Sequence, residues 1–337
     1  MLGQGIVFYR HILIFAQNSS VTFIDMQGYT CRITGFLFVQ VSFADLVRSP
    51  VSKVAIVTDS TACFPADVVK GYPMHITPLQ VIWDEKSYQD GIDIQPVEFY
   101  SRLTTSKSMP STSQTTPGYF AELYRRLLDE GYDILSVHIS SRLSGTLDSA
   151  IQAREMMKSA KNRIALVDTL STGMAMGFPA LIATRAAMQG ATLEECRLLA
   201  EKATKNSGVF VVVPTLEYLH RGGRIGGAAA FVGSVLNLKP IIKMIDGKLE
   251  SVDKVRTFGK AVERMTDLFV KDVNGRFPLR IAIHHANCPE EARALLERVR
   301  SRFNVSDVAE AFIADVSPVI GTHVGPGALG IAYLAGM

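Results

Sequence analysis

The chain has 337 residues, of which 47% are hydrophobic and 20% charged, and its formal net charge is +3. That supplies a sizeable core and two domains, while the charge is too mild for a nucleic-acid binder, which concentrates basic residues on one face. Four cysteines (Cys31, Cys63, Cys196, Cys288) lie scattered without a C-x-x-C pair, against a disulfide framework or zinc knuckle and in keeping with a reducing cytoplasm, and no run reaches the ~18–20 apolar residues that span a bilayer.

Residues 1–52 stand apart as an extension. "IVFYRHILIFAQ" and "FLFVQVSF" are apolar, yet the first is interrupted by Arg10 and His11, and the first fifty residues contain no lysine. The order of basic, apolar and small-residue segments that marks a signal peptide is absent. Three readings fit: a membrane-proximal segment, one or two added strands, or a disordered, translated upstream sequence with an alternative start near Val51. The third is the expectation.

From Lys53 the pattern is regular. "KVAIVTDS" is a β-branched apolar run typical of a parallel strand buried on both faces. "PADVVKGY" follows as a short helix and "MHITPLQVIW" as the next strand. "PVEFYSRLTTS" and "TPGYFAELYRRLLDEGY" have helical spacing; in the second, Phe120, Leu123, Tyr124, Leu127 and Leu128 share a face and Gly131 closes the end. "DILSVHI" is a strand, "TLDSAIQAREMMKS" a helix, "RIALVDT" a strand. This alternation predicts a doubly wound parallel sheet in an α/β domain over 53–206. The helices "MAMGFPALIATRAAMQG" and "TLEECRLLAEKATKNS" lead out of it. Beyond "GVFVVV", Asp246-Gly247 sits between two strand-like runs and signals a tight hairpin. "VERMTDLFVKDV" and "PEEARALLERVRSRF" are helical, "LRIAIHHA" and "VAEAFIADVSPVI" strands. The mixture predicts an α+β domain over 207–337. No long linker separates the halves, so a broad interface is expected between them, where ligand pockets favour forming.

Several segments bear on chemistry. Asp59 and Ser60 fall at a strand's carboxyl end, where open α/β sheets bind ligands, although capping the next helix explains them equally well. Between Pro110 and Pro117, residues 111–116 are all hydroxyl or amide types. Thr116 suits an N-cap with Pro117 at the first helical position, which leaves Thr112, Ser113 and Gln114 unexplained. Ser144-Gly145-Thr146 opens a helix, whose free N–H groups and partial positive charge suit a carboxylate or phosphate, with glycine permitting close approach; a plain cap is the alternative. A serine hydrolase using Ser144 and His323 lacks the G-x-S-x-G elbow, since Arg142 stands where its first glycine belongs. No Walker A run is present, and "RGGRIGGAAAFVG" lacks a G-x-G-x-x-G spaced between strand and helix. Arg221 and Arg224 in "HRGGRIGG" read either as a solvated loop or as a bidentate grip on an anion. "AAAFVGSVLNLKPII" reads as a buried helix or the wall of an apolar tunnel. His323 falls in a Gly- and Pro-rich turn, able to hydrogen-bond an anion. His284 and His285 point to opposite faces of a strand, so with Cys288 they do not make a metal site.

In order, "VTDST", "TPLQV", "STSQTTP", "ISSRLSGT", "VDTLSTGMAMG", "YLHRGGRI", "LKPII...DGKL", "KVRT" and "GTHVGPGALGIAY" resemble the DegV family of bacterial fatty-acid-binding proteins over residues 53–335. The chain departs in "TSQTTP", where the family more often has "TSQPSP", and in its leader. The resemblance implies an α/β domain and a second domain enclosing one long-chain fatty acid between them, with no other cofactor and no metal. Its carboxylate would meet Thr112, Ser144, Gly145 and His323. It further implies a carrier without turnover of its own, presenting the acid to a fatty acid kinase that makes an acyl phosphate with ATP. Arg221, Arg224 and Arg256 would then contact the kinase or the transferring phosphoryl group. The alternatives are a serine-dependent acyl hydrolase or transferase, and a regulator whose lipid occupancy alters docking. Burial of a sixteen-carbon chain at ~0.8 kcal/mol per CH₂ outweighs a head-group hydrogen bond at ~1 kcal/mol, so the tunnel supplies affinity and the hydroxyls supply orientation.

Overall fold

In this computed structural model the described residues are 53–231 and 238–337, together with the backbone of four leader strands, β1 (Val7–Tyr9), β2 (Ile12–Gln17), β3 (Ser20–Asp25) and β4 (Thr30–Thr34). Residues 1–50 and 51–337 are two separate units. The leader strands pair antiparallel in the order β1-β2-β3-β4. The expected start near Val51 lies outside the described residues.

The second unit runs through β5 (Lys53–Asp59), α1 (Ala66–Val69), β6 (Met74–Thr77), β7 (Gln80–Trp83), β8 (Lys86–Gln89), α2 (Pro96–Thr105), β9 (Ser111–Ser113), α3 (Pro117–Asp129), β10 (Tyr132–His138), α4 (Thr146–Met156), β11 (Ile164–Asp168), α5 (Met174–Met188) and α6 (Leu193–Asn206). It continues with β12 (Ser207–Val212), α7 (Glu217–Arg221), β13 (Lys239–Ile245), β14 (Lys248–Val255), α8 (Phe258–Val273), β15 (Leu279–His285), α9 (Pro289–Arg300), β16 (Val308–Asp315), α10 (Pro318–Val324) and β17 (Leu329–Ala335).

The first sheet is parallel, in the order β11-β10-β5-β6. Alternation along β5 assigns its two faces. Ala55 and Val57 pack with Phe120, Tyr124 and Leu127 of α3 and Ala150 and Ala153 of α4; Val54 and Ile56 pack with Ala180 and Ala183 of α5 and Cys196 and Ala200 of α6. Helices on both faces make this a doubly wound α/β layer, as the strand–helix alternation predicts. α3 starts as expected, with the Thr116 hydroxyl accepting from the Tyr119 N–H at 3.3 Å and Pro117 in the first turn, and Gly131 just beyond it takes φ +88°.

"MHITPLQVIW" is not one strand. β6 joins the parallel sheet, while β7 leaves it to pair with β8 and β9 in a small antiparallel sheet of order β8-β7-β9. Pro78 lies at the break and has no N–H to continue a ladder. The Pro78 carbonyl instead accepts from Thr115 Oγ1 at 2.8 Å, and the Leu79 N–H donates to Ser60 Oγ at 3.1 Å.

The third sheet, in the order β14-β13-β12-β17-β15-β16, is mixed: only β15 and β16 run parallel. Asp246 and Gly247 take φ +47° and +80° between β13 and β14, the expected hairpin turn. One face carries Phe210, Ile281, Ile283 and Ile331 against Met265 and Phe269 of α8 and Leu295 and Val299 of α9. The opposite face presents Val209, Ile242, Ala282 and Ala332 to a cluster that also contains Trp83, Phe99, Tyr100, Met174 and Phe178 from the first half of the chain. That shared cluster is where the two halves meet.

Three further local expectations change. "VAEAFIADVSPVI" ends as a strand at Asp315, because Ser317 caps α10 through Ile320 N–H and Pro318 takes the first helical position. His323 therefore sits on α10 rather than in a turn. "AAAFVGSVLNLKPII" is not a helix throughout: Gly226–Phe231 is a 3₁₀ segment, residues 232–237 lie outside the described residues, and Lys239 already begins β13. Among the described residues, no helix is long and apolar enough to cross a membrane.

Candidate functional site

Four segments from distant parts of the sequence converge between the parallel and the mixed sheet. The first is β9. Its pairing with β7 sets Thr112 opposite Val81, and Thr112 Oγ1 lies 2.9 Å from Nε2 of His323, 211 positions away. The second is the turn after β10. There the Ser140 hydroxyl donates to the Gly247 carbonyl of the β13–β14 hairpin at 2.8 Å, and the Ser141 hydroxyl donates to Asp168 at 2.6 Å. Ser144 Oγ pairs with Thr146 Oγ1 at 2.9 Å and accepts from the Thr146 N–H at 3.3 Å. Gly145 is the N-cap of α4 and makes no side-chain capping bond. A Cβ there would come within 3.1 Å of Gln114 Nε2, so the Gln114 amide lies directly on the glycine backbone.

The third segment is the turn after α7. Arg224 donates from Nη1 to the Gly222 carbonyl at 2.7 Å and from Nε to the Leu143 carbonyl at 3.2 Å, tying this turn to the serine-rich one. Arg221 pairs with Glu217 at 2.6 Å. The fourth is α10, whose His323 backs onto Gly222.

These segments border two spaces. One is an apolar cavity of about 110 Å³ walled by residues such as Leu79, Val209, Val211, Leu249, Val319 and Ala328, with Thr112, Gln114, Ser144, Arg224 and His323 on its polar side. The other is a polar cleft of about 240 Å³ lined by Ser111, Arg221, Arg224 and Thr322. Thr112, Arg224 and His323 line both, so the Thr112–His323 hydrogen bond lies at their junction. Burial, reinforced by the Arg224 guanidinium, pushes the His323 imidazole down to about 4 and keeps it neutral near pH 7.

Of the residues that the sequence singles out, Thr112, Ser144, His323, Arg221 and Arg224 thus come together, and Gly145 joins them through Gln114. Arg256 is exposed just past the end of β14 and lines neither space. Asp59 does cap, accepting from the Thr61 N–H at 3.1 Å, but it also does more. Its other oxygen accepts from the Ile139 N–H at 3.1 Å and lies 2.9 Å from His138 Nδ1. His138 Nε2 lies 2.7 Å from Ser136 Oγ, to which Tyr124 donates at 2.8 Å. This fully buried relay touches neither space; it holds the end of β10, from which the Ser140–Gly145 turn departs. His284 and His285 do diverge: His284 lines the cavity, and His285 lies 3.5 Å from Asp315.

Sequence reasoning missed Cys63, Thr172 and His284 as cavity residues. "LSTGMAMG" carries Thr172 on a loop between a strand and a helix, a recognisable signal. His284 looked only like a poor metal ligand. Burial holds it near 4 as well, and its Nε2 accepts the Met174 N–H at 2.9 Å. Gly173, at φ +59°, makes this approach feasible, because a Cβ there would lie 2.8 Å from His284 Nε2.

The profile of an uncharacterised protein family, the DegV family, matches residues 53–336. A DegV domain-containing protein of Streptomyces coelicolor is 39% identical over 279 residues, covering 82% of this chain and 97% of its own length. Protein DegV of Bacillus subtilis is 34% identical over 282 residues, covering 83% and 98%. Among solved structures, a DegV family protein from Thermus thermophilus described for its fatty acid binding aligns with a TM-score of 0.78 at 33% identity, over 84% of this chain and 99% of that one. DegV of Bacillus subtilis, described as a fatty acid binding protein, aligns with a TM-score of 0.75 at 34% identity over the same shares. With its parallel sheet followed by a separate mixed sheet, and with relatives matched over nearly their whole length, the chain belongs to the DegV family.

Proposed function

We propose that the protein binds one long-chain fatty acid, tail in the apolar cavity and carboxylate at the Thr112–His323 junction, and presents it to a partner kinase. A carboxylate oxygen attacks the γ-phosphorus of ATP held by that kinase, the bond to ADP breaks, and an acyl phosphate forms. The carrier supplies no turnover of its own. The observation that carries this reading is the sharing of Thr112, Arg224 and His323 between an apolar and a polar space. An amphiphile whose tail fills the first must expose its head to the second. Head-group contacts fall to Thr112, Ser144, His323 and the Gly145 turn, while Arg221 and Arg224 face an arriving phosphoryl group. Arg256, remote from the cleft lining, is left as a contact to the kinase surface. Two similar structures, from Thermus thermophilus and Bacillus subtilis, carry fatty acid binding in their descriptions, which supports the ligand class. The two domains of this reading are 53–206, with the parallel sheet and the small β8-β7-β9 sheet, and 207–337, with the mixed sheet.

The hydrolase alternative finds no support in the bonding. Ser144 is engaged with Thr146 and His323 with Thr112, and among the described residues His323 Nδ1 has no hydrogen-bond partner to orient it.

Native mass spectrometry of freshly purified protein should show one co-purified fatty acid. Replacing Thr112 and Ser144 together by alanine should reduce kinase-dependent acyl phosphate formation by a larger factor than it reduces lipid uptake. Normal phosphorylation of the double variant would remove the proposed head-group role, and absence of any lipid complex would remove the ligand class.

A further inference from the structure

The mixed sheet turns a row of three residues toward the apolar cavity. In β17, a central strand, Gly330 pairs with Val211 of β12 on one side and with His284 of β15 on the other. All three line the cavity and none lines the polar cleft, so the row belongs to the deep part rather than the mouth. A glycine inside a strand weakens it through lost conformational entropy, and it marks a place where something approaches the backbone closely. Gly330 is outside the left-handed region, so its φ does not require glycine. The other strand glycine of this sheet, Gly208, is explained by the Tyr333 hydroxyl, which stands 2.5 Å from where a Cβ would be. Among the described residues no side chain takes that place at Gly330. The side-chain atoms nearest to it are Cβ of His284 at 3.5 Å and Cβ of Val211 at 4.0 Å, and the Phe210 carbonyl oxygen lies at 3.1 Å.

Resting on the fatty-acid reading above, we infer that Gly330 gauges chain length: the alkyl tail crosses the inner face of the mixed sheet through the notch between Val211 and His284, and this notch admits the distal methylenes of long-chain acids. The same strand shows what a single methyl group does. Ala332 lies two residues further along on the same face, in a row with Val209 and Ala282, and it no longer borders the cavity although Val209 does. One side of the notch is fixed, because His284 Nε2 accepts the Met174 N–H at 2.9 Å and the ring cannot swing aside without losing that bond. A methyl group at residue 330 would therefore stand between two cavity-lining side chains, where the tail passes. Since the mouth holds the carboxylate, only acids long enough to reach the row meet it.

The test is competitive displacement of a fluorescent fatty acid from the delipidated full chain by the saturated acids of ten, twelve, fourteen, sixteen and eighteen carbons. Gly330→Ala should leave the shorter acids bound as before and weaken the longer ones. The step should be about fourfold or more, the loss of one buried methylene at ~0.8 kcal/mol. Val211→Leu narrows the same row from the neighbouring strand without altering β17, and should give its step at the same chain length. A uniform fall across all lengths would mean that the substitution disturbs the mouth or the Phe210 carbonyl, and it overturns the inference. An unchanged profile overturns it too, as do steps at different lengths in the two variants. If Gly330→Ala does not fold, Val211→Leu alone decides between a step and a uniform or absent change. Failure of every acid on the unsubstituted protein overturns the fatty-acid reading itself and this inference with it, an outcome distinct from binding whose length profile the variants leave intact.

Discussion

Gly222 has φ −75°, a conformation open to any residue, yet nothing larger fits, because a Cβ there would strike His323 Nδ1. The glycine therefore keeps the imidazole where Nε2 meets Thr112 Oγ1. Gly222→Ala should displace the ring without straining the backbone, and acyl phosphate formation should fall about tenfold or more while the circular dichroism spectrum is retained; an unchanged rate would mean that the ring position is unimportant. This role was not legible in "HRGGRIGG", where four glycines read as a flexible turn and the arginines drew attention. Thr112 and Ser144 were legible as candidates, because a helix cap needs one hydroxyl and these segments offered several.

At the scale of elements, the sequence pattern was most informative where one face is buried. α3 and the β13–β14 hairpin follow it closely. It failed where a single residue redirects the chain: at Pro78, where one apolar run feeds two sheets, and at Ser317, whose cap turns an apparent strand into α10. The contact between α5 and the β15–β16 edge was also invisible, since it is made by residues 125 apart. Arg185 forks onto Glu310 at 2.5 and 2.8 Å and stacks near Tyr72, and Arg280 reaches the same carboxylate at 2.7 Å. The two guanidiniums hold Glu310 below the usual carboxylate range. Glu310→Gln leaves both half-buried cations without their counter-charge and should cost roughly 1–3 kcal/mol in urea unfolding; no loss would show the pair to be as weak as an exposed one.

For the molecule as a whole, the same buried groups set the response to acid. His284 and His323 both titrate near 4, pushed down first by burial. Unfolded histidine binds its proton near 6.5, so the unfolded chain takes up protons first and stability is lost as pH falls from about 6.5 through 4. Asp90 opposes this. Burial raises its carboxyl to about 6, so the folded state takes up that proton first and gains stability as pH falls from about 6 toward 3.8. Burial lowers His75 and His285 in the same direction, so the histidines outweigh Asp90 and predict a net loss, on the order of a few kcal/mol by pH 4. Asp90→Asn should steepen the loss between pH 6 and 4 in pH-resolved chemical denaturation; an unchanged slope would contradict the role given to Asp90. The overall architecture was legible from the alternation of strands and helices and from the ordered motifs. The cavity itself was not, because no spacing rule says which of many apolar residues will face a space rather than one another.

The Thr112–His323 bond joins residues 211 positions apart, with a consequence for synthesis on the ribosome. A nascent chain that has released its parallel sheet but not yet Pro318–Val324 has half a socket and no latch. On the fatty-acid reading, capture of the ligand waits until that helix has emerged and docked.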